Sequence, residues 1–584
     1  MASFASRPTA EATLSMTKRI DCSHAGRDIP RGRLVTVWPA RAAAAIVLGL
    51  ALSPIAASAP SVAAAGQPAP VSVTMIAALT VPERKTGFID PTLLETYTSE
   101  FGLLTRELDQ VIDRPIVLGI DPSIIASIRV LGSSAPASAI AWLDRLDAAT
   151  NETFPLAWAD ADLTLGLQAG SDALLAPESF AYAIDASLFS AADVEPTPTP
   201  EATEQPEVPG EVPPLPTDAS LIAWDYTVSD IAWPAMNTVT AANLDTVGSA
   251  FGTTILSSGN LGATTASTAH TNVGEVGALV ADETLSAQFS STVQSASGEE
   301  WQAAMADLGA SVAGVASTTD APASVLLALD RAVTLSDTDL GLTIDTLTAT
   351  PNVLVTGLVD LLATAPVSGS LVDLEHSESV IASVRTLLAE ERRDGEFAQI
   401  AADPTLISSE RRLDLLATIS NSWADNLEGW EGAVSDYVAS SIALRDKVKI
   451  VKSSSITLWA DRASLPVTIS NELTQPVTVY VTVRPLTPLL KVENSLVEVI
   501  VEPGSQRKAS VPVQSLSNGI VELEVTLHGS TGMAVGDTTY VRTTVQAGWE
   551  TPFTVTVGII VVLVFAAGIV RTIVRRRRAR SSEG

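Results

Sequence analysis

PTLLETYTSEFGLLTRELDQVIDRPIVLGID, Pro91 to Asp121, sets two patterns back to back. In its first part apolar residues recur three and four positions apart, which predicts an amphipathic helix. PIVLGI (115–120) then forms a short continuous apolar run, as expected for a strand buried on both faces, and it stops at an acid. The same alternation repeats from Val71 to Gly369. Strand-like runs occur at VSVTMIAAL (71–79), PIVLGI (115–120), PLAWA (155–159), LIAW (221–224), TTILS (253–257), VGALVA (276–281), SVLLALD (324–330) and GSLVDL (369–374). Helical stretches such as PASAIAWLDRLDAA (136–149) lie between them. Strand–helix alternation predicts a mainly parallel sheet with helices outside it. Eight candidate strands predict an α/β, distorted (β/α) barrel-like domain over residues 71–372, with an open doubly wound sheet as the alternative.

Outward from this domain the texture changes. EPTPTPEATEQPEVPGEVPPLPTD (195–218) has no apolar period and reads as an extended surface loop. Its Thr-Pro pairs could carry sugars in an exported protein; a plain spacer is the simpler reading. Residues 373–449 predict a helical subdomain. Within SERRLDLLATISNSWADNLEGWEGAVSDYVASSIAL (409–444), Leu416, Ile419, Trp423, Leu427, Trp430, Val434 and Tyr437 form a stripe at helical spacing. Its aromatic residues read as core anchors. Residues 450–547 alternate with period two, as in VTVYVTVRP (477–485) and GIVELEVTLHG (519–529). Seven short strands separated by turn residues predict an all-β, immunoglobulin-like sandwich.

Both ends carry targeting patterns. Arg27, Arg31, Arg33 and Arg41 precede AAAAIVLGLALSPIAASA (42–59), and small residues follow. This reads as a long secretory leader over residues 1–65, cleaved after Ala65, with Met16 as an alternative start. An uncleaved membrane anchor is the competing reading. At the other end Thr551 to Val570 carries no charge and matches the bilayer core in length. Arg571, Arg575, Arg576, Arg577, Arg578 and Arg580 follow directly, which predicts a cytoplasmic tail over 571–584. Trp549 stands at the expected outer boundary. The chain therefore reads as a single-pass type I protein of the cell membrane with most of its length extracytoplasmic.

Composition then excludes several functions. Residues 1–65 hold 7 basic and 3 acidic residues, and 571–584 hold 6 and 1. The exterior is left with 22 basic and 62 acidic residues, a net of −40, which repels nucleic acid. Cys22 is the only cysteine and lies in the leader, so the exterior has neither a disulfide nor a thiol nucleophile. The four histidines, His24, His270, His376 and His528, show no zinc-protease spacing. No G-x-S-x-G elbow and no phosphate loop occur. No cofactor and no metal are expected, and each exterior histidine reads as a surface or capping residue.

What remains is a set of acids after the predicted strands: Asp121, Asp160, Asp162, Asp225, Asp282 with Glu283, and Asp330. On a parallel sheet they would ring one rim. Asp160 and Asp162 would face one side if their strand continues through Asp162. Asp121, Asp160 and Asp162 are the candidate catalytic carboxylates, since acid pairs on such a rim can cleave glycosides. Trp158, Asp225, Asp282 and Asp330 are candidate ligand-binding residues, with Trp224 and Trp233 as further stacking faces. The competing reading is structural, because Asp after a strand commonly caps the next helix. Asp121-Pro-Ser has that form.

Several phrases together resemble a known family. They are GIDPSIIASIRVLG (119–132), NETFPLAWADADLTLGLQAG (151–170), DIAWPAMNTVTAANLDTVGSAFGTTILSS (230–258), LPVTISNELTQPVTVYVTVRP (465–485), VPVQSLSNGIVELEVTLHG (511–529) and VQAGWE (545–550). They resemble the actinobacterial domain-of-unknown-function 6049 proteins across nearly the whole exterior. The resemblance implies a secreted, single-span envelope protein of high-GC Gram-positive bacteria. Family genes often lie near that of the lipid II flippase, which implies a link to cell-wall assembly. It supplies no activity and no catalytic residues. The expected function is thus binding of a glycan, or of a membrane partner such as lipid-linked wall-precursor machinery. A glycan-active hydrolase is the alternative.

Overall fold

The computed structural model describes residues 70–189, 215–262, 268–316, 323–331, 333, 339–452, 455–460, 462–546 and 550–580. The leader, Trp549 and most of the Pro/Glu-rich segment lie outside the described residues.

Ten strands form the first sheet: β1 (Val71–Leu79), β2 (Val117–Ile120), β3 (Thr153–Pro155), β4 (Ile231–Ala232), β5 (Thr253–Ser257), β6 (His270–Val273), β7 (Val276–Ala281), β8 (Ser324–Ala328), β9 (Val353–Val355) and β10 (Val367–Gly369). Seven run parallel in the order β4-β5-β7-β8-β1-β2-β3. Strand β6 pairs antiparallel with β7 and parallel with β10, and β9 adds to the start of β1. Continuous apolar runs make these strands because both faces are covered. Val71, Val73, Met75, Ala77 and Leu79 of β1 pack with Leu104, Leu108, Phe289 and Ile344 of surrounding helices. Ile76 points the other way, as strand alternation requires. It joins Val117, Phe154, Ile231, Ile255, Leu279, Leu326 and Ala328 from six other strands in one core. The sheet is curved enough that Phe154 of β3 and Trp233, just past β4, bring their rings within 6.0 Å.

Several expected elements differ. LIAW is not a strand: Asp218–Ile222 is a short helix whose N-cap, Thr217, forms a capping box with Ser220. Strand β3 ends at Pro155, and PLAWA turns at residues 158–160. The last strand of the sheet is Val367–Gly369, ahead of most of GSLVDL.

Three long helices follow: Glu378–Ala398, Thr405–Thr418 and Leu427–Arg445. The single aromatic stripe is split between the last two, with Trp423 in the turn connecting them and Leu427 exposed. The three helices are tied by a buried ion network. Arg411 Nε lies 3.0 Å from Asp394 Oδ2, Arg411 Nη1 3.2 Å from Asp414 Oδ2, and Arg445 Nη2 2.6 Å from Glu390 Oε2.

The remaining strands are β11 (Val448–Ile450), β12 (Ile456–Leu458), β13 (Arg462–Asn471), β14 (Val477–Pro485), β15 (Leu490–Val492), β16 (Val497–Val501), β17 (Ser505–Ser515), β18 (Gly519–His528) and β19 (Ala534–Val545). They form two sheets, β11-β13-β17-β15 and β12-β19-β18-β14-β16. Val477, Val479, Val481 and Val483 of β14 and Val521, Leu523, Val525 and Leu527 of β18 fill one shared core. That core also takes in Phe397 and Ile400, so it is continuous with the end of helix Glu378–Ala398. Glu550–Arg580 is one helix, and its Phe553–Arg578 part is long and apolar enough to cross a membrane.

Candidate functional site

The carboxyl ends of the parallel strands supply one wall of a cleft of about 570 Å³. Trp233 follows β4, Ser257 ends β5, Glu283 follows β7, and Asp330 and Arg331 follow β8. His376, Asn421, Trp423 and Trp430 close it from the helical side. Carboxyl strand ends are where open and closed α/β sheets place their sites.

Asp121 sits at the end of β2 and caps helix Pro122–Arg129. Its Oδ1 accepts from Ser123 N and from Ala159 N, each at 2.9 Å, and its Oδ2 accepts from Ser123 Oγ at 2.6 Å. Arg84 Nη2 is 3.6 Å away. This carboxylate is wholly engaged in holding the next loop, and it does not line the cleft.

That loop departs from an extended strand. Ala159 has φ 58° and Asp160 φ 49°, so two successive non-glycine residues are left-handed. Each costs about 1–2 kcal/mol of steric strain. The turn is held by the Asp121 bond to Ala159 N and by Asn421 Nδ2, which donates to the Asp160 carbonyl at 3.0 Å. Asp160 and Asp162 therefore do not share a strand face. They come near each other through the turn.

Asp160 is buried, with Oδ2 3.5 Å from Arg331 Nε and Oδ1 3.3 Å from Asn421 Nδ2. Burial pushes its carboxyl up to about 7, against the pull of Arg331 and Asn421. Asp162 differs. Its Oδ1 accepts from Thr164 N at 2.8 Å, Thr164 Oγ1 at 2.9 Å and Leu165 N at 3.2 Å. Its Oδ2 lies 2.7 Å from His376 Nε2. Burial alone would raise it, but the His376 and Thr164 contacts outweigh burial and hold it below the ordinary value. Asp162 lines the cleft; Asp160 stands behind it, next to Arg331.

Arg331 is the cleft's buried cation. Its guanidinium stacks on the Trp233 indole at 4.3 Å and donates through Nη2 to the Trp233 carbonyl. Among the described residues Arg331 Nη1, Trp233 Nε1 and Asn237 Oδ1 have no hydrogen-bond partner, and all three residues line the cleft. An unpaired buried polar atom costs about 1–3 kcal/mol, so such a cluster calls for a partner.

The other candidates are scattered. Asp330 lines the cleft. Asp282 caps helix Glu283–Val293 through Leu285 N at 2.8 Å. Asp225 is exposed, in the segment leading to β4, away from the cleft lining. Trp158 is a core residue, stacked on Phe180 at 4.7 Å and edge-on to Phe88 at 5.3 Å. Sequence reasoning passed over Arg331 and Asn421 and read His376 as a surface or capping residue, whereas its Nε2 lies 2.7 Å from buried Asp162 in the cleft wall. Arg331 was the readable one, as a cation directly after a strand-end acid; His376 and Asn421 gave no local signal. No group of three or more His, Cys, Asp or Glu side chains is placed to hold a metal among the described residues.

Among curated proteins none matches the chain in sequence. Native α-2-macroglobulin from Escherichia coli, from domain MG7 to its C-terminus, is similar at 19% identity and TM-score 0.15 over 17% of this chain. The chain covers only 16% of that structure. The α-amylase AmyC from Thermotoga maritima is similar at 10% identity and TM-score 0.41, over 65% of this chain and 93% of its own. The seventh PapD-like domain of human CEP192 is similar at 16% identity and TM-score 0.14, over 18% of this chain and 85% of its own. A family model described as a family of unknown function, DUF6049, matches residues 87–582, from shortly after β1 to the arginine tail, and the chain belongs to that family.

Proposed function

We propose that this chain is a membrane-anchored extracytoplasmic protein that binds a glycan in the cleft between strand ends and helices, in the service of cell-wall assembly. In this reading residues 71–372 are a distorted (β/α) barrel, 373–449 cover its mouth, and 450–547 are an immunoglobulin-like spacer above the bilayer. The arginines after the apolar helix keep the tail inside and the rest outside.

The carrying observation is the set of unpartnered atoms on Trp233, Asn237 and Arg331 within one aromatic-lined cleft. Two are donors and one is an acceptor. Sugar hydroxyls both donate and accept, so a polyhydroxylated ligand serves all three. Asp162, Glu283, Asp330 and Asp425 outnumber Arg331 and His376 in the lining, which disfavours a polyanion. The sharpest test is Trp233→Phe. Its indole N–H has no partner among the described residues, so removing it takes no hydrogen bond from them. A ligand bonded there loses about 0.5–1.5 kcal/mol, or roughly 2- to 12-fold in affinity. Calorimetry of the full chain in nanodiscs with soluble wall-glycan fragments reads this directly. Absence of binding by wild type, or equal affinity in the variant, rejects the assignment.

One observation favours turnover instead. Asp160 held near 7 beside Asp162 held low is the pattern of an acid paired with an ionised carboxylate. Release of soluble fragments from wall glycan by wild type, abolished in Asp160→Asn and Asp162→Asn, would establish a hydrolase. Binding without release leaves the carboxylates structural.

A further inference from the structure

The two ends of the β-domain differ in what they expose. One end abuts the helices: Val477 bridges to Ala401, and Thr478 N donates to Ile400 O at 2.7 Å. Its turns, 472–476, 502–504 and 529–533, carry no exposed large apolar side chain. The other end is where β19 finishes. There Leu458 pairs with Val545 and Ile520 with Thr544. Leu486 N bonds to Glu522 O, and Leu516 N to Leu489 O, which brings two loops to the same end. This end exposes Trp459 (73%), Ile520 (68%), Leu516 (53%) and Leu486 (44%). Isolated exposed apolar residues are ordinary; here four lie at one end, Trp459, Leu486 and Leu516 just past strand ends and Ile520 at the start of β18.

The chain itself says what covers that patch. From Gln546, bonded to Leu458 O at 2.9 Å, seven residue steps lead to Phe553, where the apolar span begins. Fully extended they reach about 25 Å at most, and Glu550–Phe553 is helical, which shortens the reach. The span of 26 residues is about 39 Å long, more than the roughly 30 Å bilayer core. The exposed end is thus held within about 25 Å of the start of the span whenever the helix crosses a membrane.

We infer that this end of the β-domain is a lipid contact: Trp459, Leu486, Leu516 and Ile520 dip into the outer interface of the bilayer and fix the domain's tilt. Trp suits the headgroup layer because its ring is apolar and its N–H is polar. The inference rests on Glu550–Arg580 spanning the membrane and is independent of what the cleft binds.

The test uses the full chain in phosphatidylcholine–phosphatidylglycerol nanodiscs in a Cys22→Ser background. Single nitroxide labels go on Leu516→Cys and Ile520→Cys, on Ser530→Cys at the opposite end, and on Ile560→Cys within the span. All of these positions are exposed, so the labels leave the cores intact. Expected is an oxygen-over-nickel collision ratio at Leu516 and Ile520 at least threefold that at Ser530, and highest at Ile560. Ratios at Leu516 and Ile520 equal to that at Ser530, with Ile560 in lipid, overturn the inference and leave the anchor standing. Protection of both labels from oxygen and nickel alike means a protein partner covers the patch, which also overturns it. A water-like Ile560 removes the anchor and the inference together.

Discussion

Replacing Asp160 with Asn removes a buried ionisation, and its effect on stability must depend on pH in a defined way. The carboxyl has an ordinary value of 3.8 and is pushed up to about 7 in the fold, first by burial and further by Asp121 and Asp162, against Arg331 and Asn421. Below pH 3.8 both folded and unfolded chains are protonated at this site, and it contributes nothing. Between 3.8 and 7 the folded state holds the proton that the unfolded state has released. Raising pH therefore lowers stability across that window, and the loss is constant above it. The rise from 3.8 to about 7 corresponds to about 4 kcal/mol as a ceiling. Relaxation and solvent entry would reduce this to about 2–4 kcal/mol. Asn resembles the protonated form and can keep the 3.3 Å Asn421 contact through its carbonyl. At pH 8 Asp160→Asn should thus be about 2–4 kcal/mol more stable than wild type, and at pH 4 nearly equal to it. Urea unfolding followed by tryptophan emission at both pH values measures the difference. Asp414, held near 6, titrates in both proteins and cancels. A variant less stable than wild type at pH 8, or a difference that does not change with pH, refutes the reasoning. It would mean that Asp160 is ionised in the fold and that the Arg331 pair outweighs burial.

Two further perturbations probe the surroundings. Arg411→Ala removes one of the two arginine partners of Asp394, which is fully buried, and the bonds to Tyr437 O at 3.2 Å and Ser441 Oγ at 2.9 Å. It should cost about 3–5 kcal/mol in urea unfolding, because a buried charge is left with Arg445 alone. Ala159→Gly should be neutral or stabilising by up to about 1 kcal/mol, since Gly accepts the left-handed φ of 58° without strain. A clear loss there would show that the Ala159 methyl packing outweighs the backbone strain.

Much of the architecture was readable locally. The apolar runs, the helical spacing and the period-two alternation are properties of adjacent residues, and they marked most strands and helices. The failures also have local causes. LIAW is apolar enough for a strand, but Thr217 and Ser220 cap a helix across its start. The stripe from Leu416 to Tyr437 keeps helical spacing through Trp423, although the chain turns there.

The sequence by itself determined a strand–helix alternation, an alternating β segment, a terminal apolar span with its arginine flank, and acids at the strand ends. Each follows from backbone periodicity or from transfer of a continuous segment out of water. Tertiary structure alone decided what those acids do. LAWADADLTL turns left-handed at Ala159 and Asp160, against local preference, because Asp121 and Asn421 bind the turn from distant parts of the chain. Arg331, His376 and Asn421 reach Asp160 and Asp162 from 171 to 261 positions away. Burial pushes both carboxyls up; it prevails at Asp160, whereas the His376 and Thr164 contacts outweigh it and hold Asp162 low. No spacing rule contains that outcome, because desolvation and partner distance depend on which surfaces the fold brings together.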